Sequence, residues 1–273
     1  MTGYLMRTET ITSAQNPKIK NLLLLQEKSK ARKEQGLFVV EGRRELEHCL
    51  SAGFTIKTVF VCPDITGPTE FSTNSRALQT ESAPTIIEIP EQLYRKVAYR
   101  ESTEGIMAEV EYKSLSLKDL KLPENPLVMV LESVEKPGNL GAVLRSADAA
   151  GVDAVIFCDP LTDLYNPNLI RASIGAIFTV PTVAASSEET IAFLQERGIQ
   201  ILTAQLQDSS LYYDVDMRRG TALVMGTEAT GLTDLWRKAA SAHIRIPMLG
   251  RLDSLNVSVS AAILLFEAVR QRQ

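Results

Sequence analysis

Asn139, Gly141 and Arg145 stand in the stretch "EKPGNLGAVLRSADAAG", residues 135–151. Gly138 and Gly141 let the backbone turn tightly and approach a ligand. Asn139 can cap a helix. Arg145 can meet a charge on a substrate or sit on a solvated surface. A second stretch, "MGTEATGL" (225–232), ends a strand at Gly226, continues with Glu228 and turns at Gly231. A third, "IPMLGRLDSLNVSVS" (246–260), alternates Ser254, Asn256, Ser258 and Ser260 with Leu255, Val257 and Val259. One N-cap is enough to open a helix, so four small hydrogen-bonding side chains raise the question of a second task. A cap followed by a solvated first turn is the plain alternative.

Other chemistries lack their residues. "EKPGNLG" is not GxGxxG, and no GxxxxGKS or GxxxxGKT occurs, so neither one-loop nucleotide fingerprint is present. The two histidines, His48 and His243, argue against a histidine-based metal site or a Ser-His-Asp triad, and no metal is expected. Cys49, Cys62 and Cys158 have neither CxxC nor zinc-finger spacing and read as reduced, structural and cytosolic.

The elements that must position the three loops are legible. "LVMVLESV", "DAVIFC", "IQILTAQL", "TALVMGTE" and "HIRIPM" are apolar strands, and "FTVPTV" is a short one. Helices "AVLRSADAAG", "NPNLIRASIGA", "SEETIAFLQERG", "LTDLWRKAA" and the C-terminal "SAAILLFEAV" alternate with them. Repeated β-α units with fully apolar strands give a parallel sheet covered on both faces. In such a sheet ligands bind beyond the carboxyl ends of the strands, where all three loops fall.

The preceding half is a smaller α/β domain of alternating short elements, from the helix "KIKNLLLLQ" to the strand "EGIMAEVE". The expected division is residues 1–112, a linker over 113–126 with two prolines, and residues 127–273. No apolar run is long enough to span a bilayer, and the N-terminus has no signal-peptide core. Net charge is −4, yet residues 16–33 hold six basic side chains against one acid. A solvated helix face and an electrostatic contact to phosphates both account for that run.

Taken together, the three loops resemble the SpoU (TrmH-type) family of RNA ribose 2′-O-methyltransferases, within the SPOUT superfamily. The first family motif stands here as Asn139, Gly141 and Arg145. The second stands as Gly226, Glu228 and Gly231. The third stands as Ile246, Pro247, Met248, Gly250 and then Ser254 to Ser258. "RASIGAIFTVP" (171–181) is also similar to the family. One departure is Lys136 where many members carry Asp before the proline. "ITSAQNPKIKNLLLL" and "GLFVVEGRRELEHCL" resemble the family's substrate-binding domain, an α/β fold like that of a ribosomal protein.

The resemblance implies that the C-terminal domain is a trefoil knot, that S-adenosylmethionine is the cofactor, and that the chain is a cytoplasmic homodimer. Cofactor contacts are implied at Gly226, Glu228, Ile246, Met248, Leu255 and Asn256. Arg145, Asn139, Ser254 and Asn256 are the implied catalytic set. Contacts to RNA are implied at Lys18, Lys20, Arg32, Lys33, Arg43 and Arg44. The long N-terminal domain favours ribosomal over transfer RNA. A transfer-RNA 2′-O-methyltransferase and a non-catalytic RNA-binding assembly factor are the alternatives on the same scaffold. An oxidoreductase on a doubly wound sheet lacks its fingerprint.

Overall fold

The computed structural model describes residues 8–67, 84–99, 104–113, 115–227, 230–252 and 254–273. Two units are distinct: Met1–Lys113 with Tyr165–Gly175, and Ser114–Leu164 with Ala176–Gln273.

The first unit is built on β1 (Thr8–Thr10), β2 (Leu37–Glu41), β3 (Ile56–Val61), β4 (Thr85–Glu88) and β5 (Ile106–Glu111). Their order is β1-β4-β3-β5-β2. β1, β4 and β3 run parallel, and β5 pairs antiparallel with both β3 and β2. Helices α1 (Pro17–Glu27), α2 (Ser29–Gln35), α3 (Arg43–Ser51), α4 (Pro63–Thr66) and α5 (Glu91–Val97) connect them. Asn16 opens α1 by accepting from Lys18 N, with Pro17 at the first helical position. Ile19, Leu22 and Leu25 of α1 pack with Leu93 and Tyr94 of α5 on Val39, Phe60, Ile87 and Met107. Strand alternation sends Phe38 to the opposite face, where Tyr165 stacks on it at 4.1 Å.

The charged run after α1 folds as α2, closed by Gly36 in the left-handed conformation. Arg32 corrects the expectation of an RNA contact. It is 1% exposed, and its Nη1 donates to the carbonyls of Leu25, at 2.7 Å, and Gln26, at 3.1 Å. Those carbonyls end α1 without helical partners, so the guanidinium caps the helix. Arg32→Ala strands them in the core and is expected to cost about 2–3 kcal/mol in urea unfolding.

The second unit carries β6 (Leu127–Glu132), α6 (Pro137–Ala149), β7 (Ala154–Cys158), α8 (Ala176–Thr179), β8 (Thr182–Ala185), α9 (Ser187–Glu196), β9 (Gln200–Ala204), β10 (Ser210–Leu211), β11 (Thr221–Met225), α10 (Asp234–Ala239), β12 (Ala242–Arg245) and α11 (Val257–Arg272). Helix α7 (Pro167–Ser173) lies between β7 and α8 in sequence but packs on β2 in the first unit. The seven strands are all parallel, in the order β10-β12-β9-β11-β6-β7-β8. Val128, Val130, Ile156 and Val224 face a core with Leu194 of α9 and Trp236 of α10. Alternation turns Met129, Leu131, Leu223 and Met225 the other way. α11 packs on α6 and on β11.

Two stretches depart from expectation. "FTVPTV" is not one strand: Phe178 and Thr179 close α8, and β8 begins at Thr182. Pro181 has no N–H for the ladder and contributes only its carbonyl, to Val155 N at 2.9 Å. Part of the expected linker is packed. Leu120 is buried in the second unit's core with Leu117 and Leu122 against it.

All three cysteines are free and buried. Burial pushes the Cys158 thiol up to about 12, which keeps it protonated and inert. No helix among the described residues is long and apolar enough to cross a membrane.

Candidate active site

The first loop leaves β6 at Glu132 and enters α6 through Pro137. Asn139 sits in the first turn and is half-buried. Arg145 is exposed and makes no ion pair with any described residue. It projects on the same face of α6 as Gly138, two turns earlier.

The third loop, residues 246–256, brings Asn256 to Asn139. Asn256 Nδ2 donates to Asn139 Oδ1 at 3.1 Å. Its own Oδ1 accepts from Ser258 N at 3.0 Å and Ser258 Oγ at 2.6 Å. Asn256 is therefore both the N-cap of α11 and the link between the first and third loops. The alternating polar residues thus divide their tasks. Asn256 and Ser258 make the cap, while Ser254 and Ser260 wall a cavity. Asn256→Ala removes the cap and the bridge together, and thermal unfolding is expected to show a loss of about 1–2 kcal/mol.

The second loop folds back on itself. Gly231, at φ +67°, returns its N–H to the Thr227 carbonyl at 3.0 Å. Thr227 Oγ1 also accepts from Thr230 N at 3.0 Å. A Cβ on Gly226 would lie 2.3 Å from the Gly231 carbonyl and 2.6 Å from Leu232 N. Only glycine leaves room for that crossing. Glu228 lies outside the described residues.

A cavity of about 150 Å³, open to solvent, lies at the carboxyl ends of β9, β11 and β12. Ile246, Met248, Ser254 and Leu255 line it, as do Leu206, Met225 and Leu264. Gly226 and Asn256 border these residues in sequence but do not line the cavity themselves. The wall is predominantly apolar with few polar groups, the composition of a small-molecule site. Gln205, also on the wall, has a buried Oε1 with no hydrogen-bond partner. Such an acceptor suits a ligand bearing N–H groups.

One contributor, at the end of β6, escaped the sequence reading. Glu132 is buried, and its carboxylate accepts from Thr233 N at 2.9 Å and Thr233 Oγ1 at 2.6 Å. It fastens the end of β6 to the end of the second loop. Its only sequence signal is an acid closing an apolar strand.

In the first unit, Lys18, Lys20, Lys33 and Arg44 are exposed. Lys18 pairs with Glu9. Arg43 is half-buried, with Nη2 donating to the Thr66 carbonyl at 3.3 Å.

Residues 126–266 match the model of the SpoU rRNA Methylase family. The chain belongs to that family. Residues 16–108 match an MRM3-like substrate binding domain. The SpoU chain is 28% identical over 256 residues to the 23S rRNA (guanosine(2553)-2′-O)-methyltransferase RlmP of Bacillus subtilis, spanning 94% of this chain and 97% of the relative. It is 30% identical over 249 residues to the 23S rRNA (uridine(2479)-2′-O)-methyltransferase of Streptomyces viridochromogenes, spanning 88% and 85%. The AdoMet-bound rRNA methyltransferase of Sinorhizobium meliloti superposes with a TM-score of 0.88 at 29% identity, over 97% of this chain and 99% of that one.

Proposed function

We propose that this protein methylates a ribose 2′-hydroxyl in 23S ribosomal RNA, with S-adenosylmethionine as donor. The observation that carries the reading is the cavity walled by Ile246, Met248 and Leu255, next to the Asn139–Asn256 bond that joins the first and third loops. The cofactor supplies an electrophilic methyl on sulfonium sulfur. Aliphatic walls suit its uncharged adenosine, and the unpaired Gln205 Oε1 suits its N–H groups.

Bound S-adenosylmethionine would supply the methyl for an in-line displacement, in which the 2′-oxygen gains the methyl, sulfur keeps the electron pair of the broken carbon–sulfur bond as a thioether, and the hydroxyl proton passes to water. The hydroxyl is a weak nucleophile, so most of the help comes from holding both reactants in line. Arg145, exposed and unpaired, holds the phosphate beside the target ribose and stabilises alkoxide character on the 2′-oxygen. A guanidinium stays protonated in a protein, so positioning suits it better than proton abstraction. Asn139 and Asn256 keep the loops in register, and Ser254 orients the reacting groups from the cavity wall. Glu228 belongs to the cofactor-binding set on the strength of the family resemblance.

Lys18, Lys20, Lys33 and Arg44, together with Arg43, supply affinity for RNA backbone without choosing a sequence. Ribosomal RNA as substrate makes the protein cytoplasmic. The second copy in a homodimer covers the apolar side chains left open around α11. Leu252 is 75% exposed, Val259 47% and Phe266 49%. The knotted topology is supported by the path of residues 246–256. In the sheet β9 lies between β12 and β11, and α11, which follows β12 in sequence, packs on β11 and α6.

The test is methyl transfer from labelled S-adenosylmethionine to unmodified 23S rRNA and, in parallel, to transfer RNA. Label in 23S rRNA alone is the expected outcome. Label in transfer RNA alone would overturn the substrate, and RNA binding without transfer would overturn the activity.

A further inference from the structure

Arg245 is the one charged side chain among the described residues that wall the cavity. It ends β12 and is half-buried. Its single hydrogen bond among the described residues is long: Nη1 donates to Ser209 Oγ at 3.4 Å. No described carboxylate pairs with it. Three other arginines of this unit find an acid where Arg245 does not. Arg218, Arg237 and Arg270 each meet an acid two or three residues away. Withdrawing a guanidinium partly from water without an anion is unfavourable. The fork of Arg245 is therefore poised for an anion that the described residues do not supply.

Ser209 fixes where that fork sits. Its hydroxyl donates to the Leu206 carbonyl at 2.8 Å while accepting from Arg245. Leu206 is itself part of the wall. The guanidinium is thus tethered to the rim of the same cavity.

Resting on the cofactor reading above, the geometry points to Arg245 as the residue that receives the α-carboxylate of S-adenosylmethionine, with Ser209 as its positioning residue. The cofactor's sulfonium and α-ammonium are cations and repel a guanidinium. The carboxylate is its one anionic group, and a guanidinium fork matches it with two parallel N–H donors. The remaining wall is uncharged, so this pair sets the direction in which the amino-acid tail lies.

The experiment is calorimetric titration, without RNA, of the wild type, Arg245→Gln and Arg245→Lys. The probes are S-adenosylhomocysteine and 5′-methylthioadenosine, which carries the adenosine and thioether but no carboxylate. Arg245→Gln is expected to weaken S-adenosylhomocysteine about tenfold to a hundredfold. Methylthioadenosine should change less than about twofold, and Arg245→Lys should restore part of the preference. An equal fall for both probes would make Arg245 a wall residue and overturn the assignment. Unchanged S-adenosylhomocysteine affinity with weakened RNA binding would make it a phosphate contact and overturn it too. A wild type that binds neither probe would instead overturn the cofactor reading. A wild type that binds both equally would overturn only the role of Arg245.

Discussion

Arg145→Ala is expected to lower single-turnover methyl transfer by about a hundredfold to a thousandfold, the range for loss of one preorganised charge-stabilising donor. The fold should not notice. Arg145 is exposed, makes no ion pair with a described residue, and lies within α6, where alanine is the most favourable replacement. S-adenosylhomocysteine affinity should also hold, because Arg145 is not among the residues that wall the cavity. Arg145→Lys keeps the charge but loses the planar fork, and should recover only part of the rate. A rate loss matched by an equal loss of cofactor affinity or of melting temperature would make Arg145 structural.

Gly226→Ala is expected to have the largest effect of any single methyl addition in this unit. The new Cβ would meet backbone, not the end of a flexible side chain, at 2.3 Å. The crossing of Gly226 by Gly231 and Leu232 must then open. Overpacking of this kind costs about 1–3 kcal/mol, which lowers the melting temperature by several degrees, at roughly 2–4 °C per kcal/mol. Met225, one residue away, walls the cavity, so S-adenosylhomocysteine affinity should fall together with stability. A variant with unchanged melting and unchanged affinity would show that the second loop does not shape the cavity.

Two site residues, Gly226 and Asn256, were legible in the sequence for a physical reason. Both hold positions that backbone geometry restricts to one or two residue types, so the residue letter itself carries the constraint. The central strands were legible because burial on both faces leaves continuous apolar runs such as "LVMVL" and "TALVM". What escaped was set by contacts distant in sequence. Nothing local tells that Tyr165 stacks on Phe38, so the packing of α7 with the first unit was invisible. β1 and β10 are three and two residues long, too short for a pattern. Charge counting cannot say which arginine turns inward, and Arg32 did. The same blindness hid Glu132, which reads as the end of a strand and acts as a clasp. It also hid Arg245, whose meaning depends on its lacking an acid partner among the described residues.

The most direct measurement of the central claim is a map of alkali-resistant nucleotides. Total RNA from cells lacking the gene would be incubated with purified protein and labelled S-adenosylmethionine. A single protected linkage in 23S rRNA, absent with Arg145→Ala, is the predicted result. Label carried on a base, with every linkage still cleaved by alkali, would leave the fold standing and contradict the ribose chemistry.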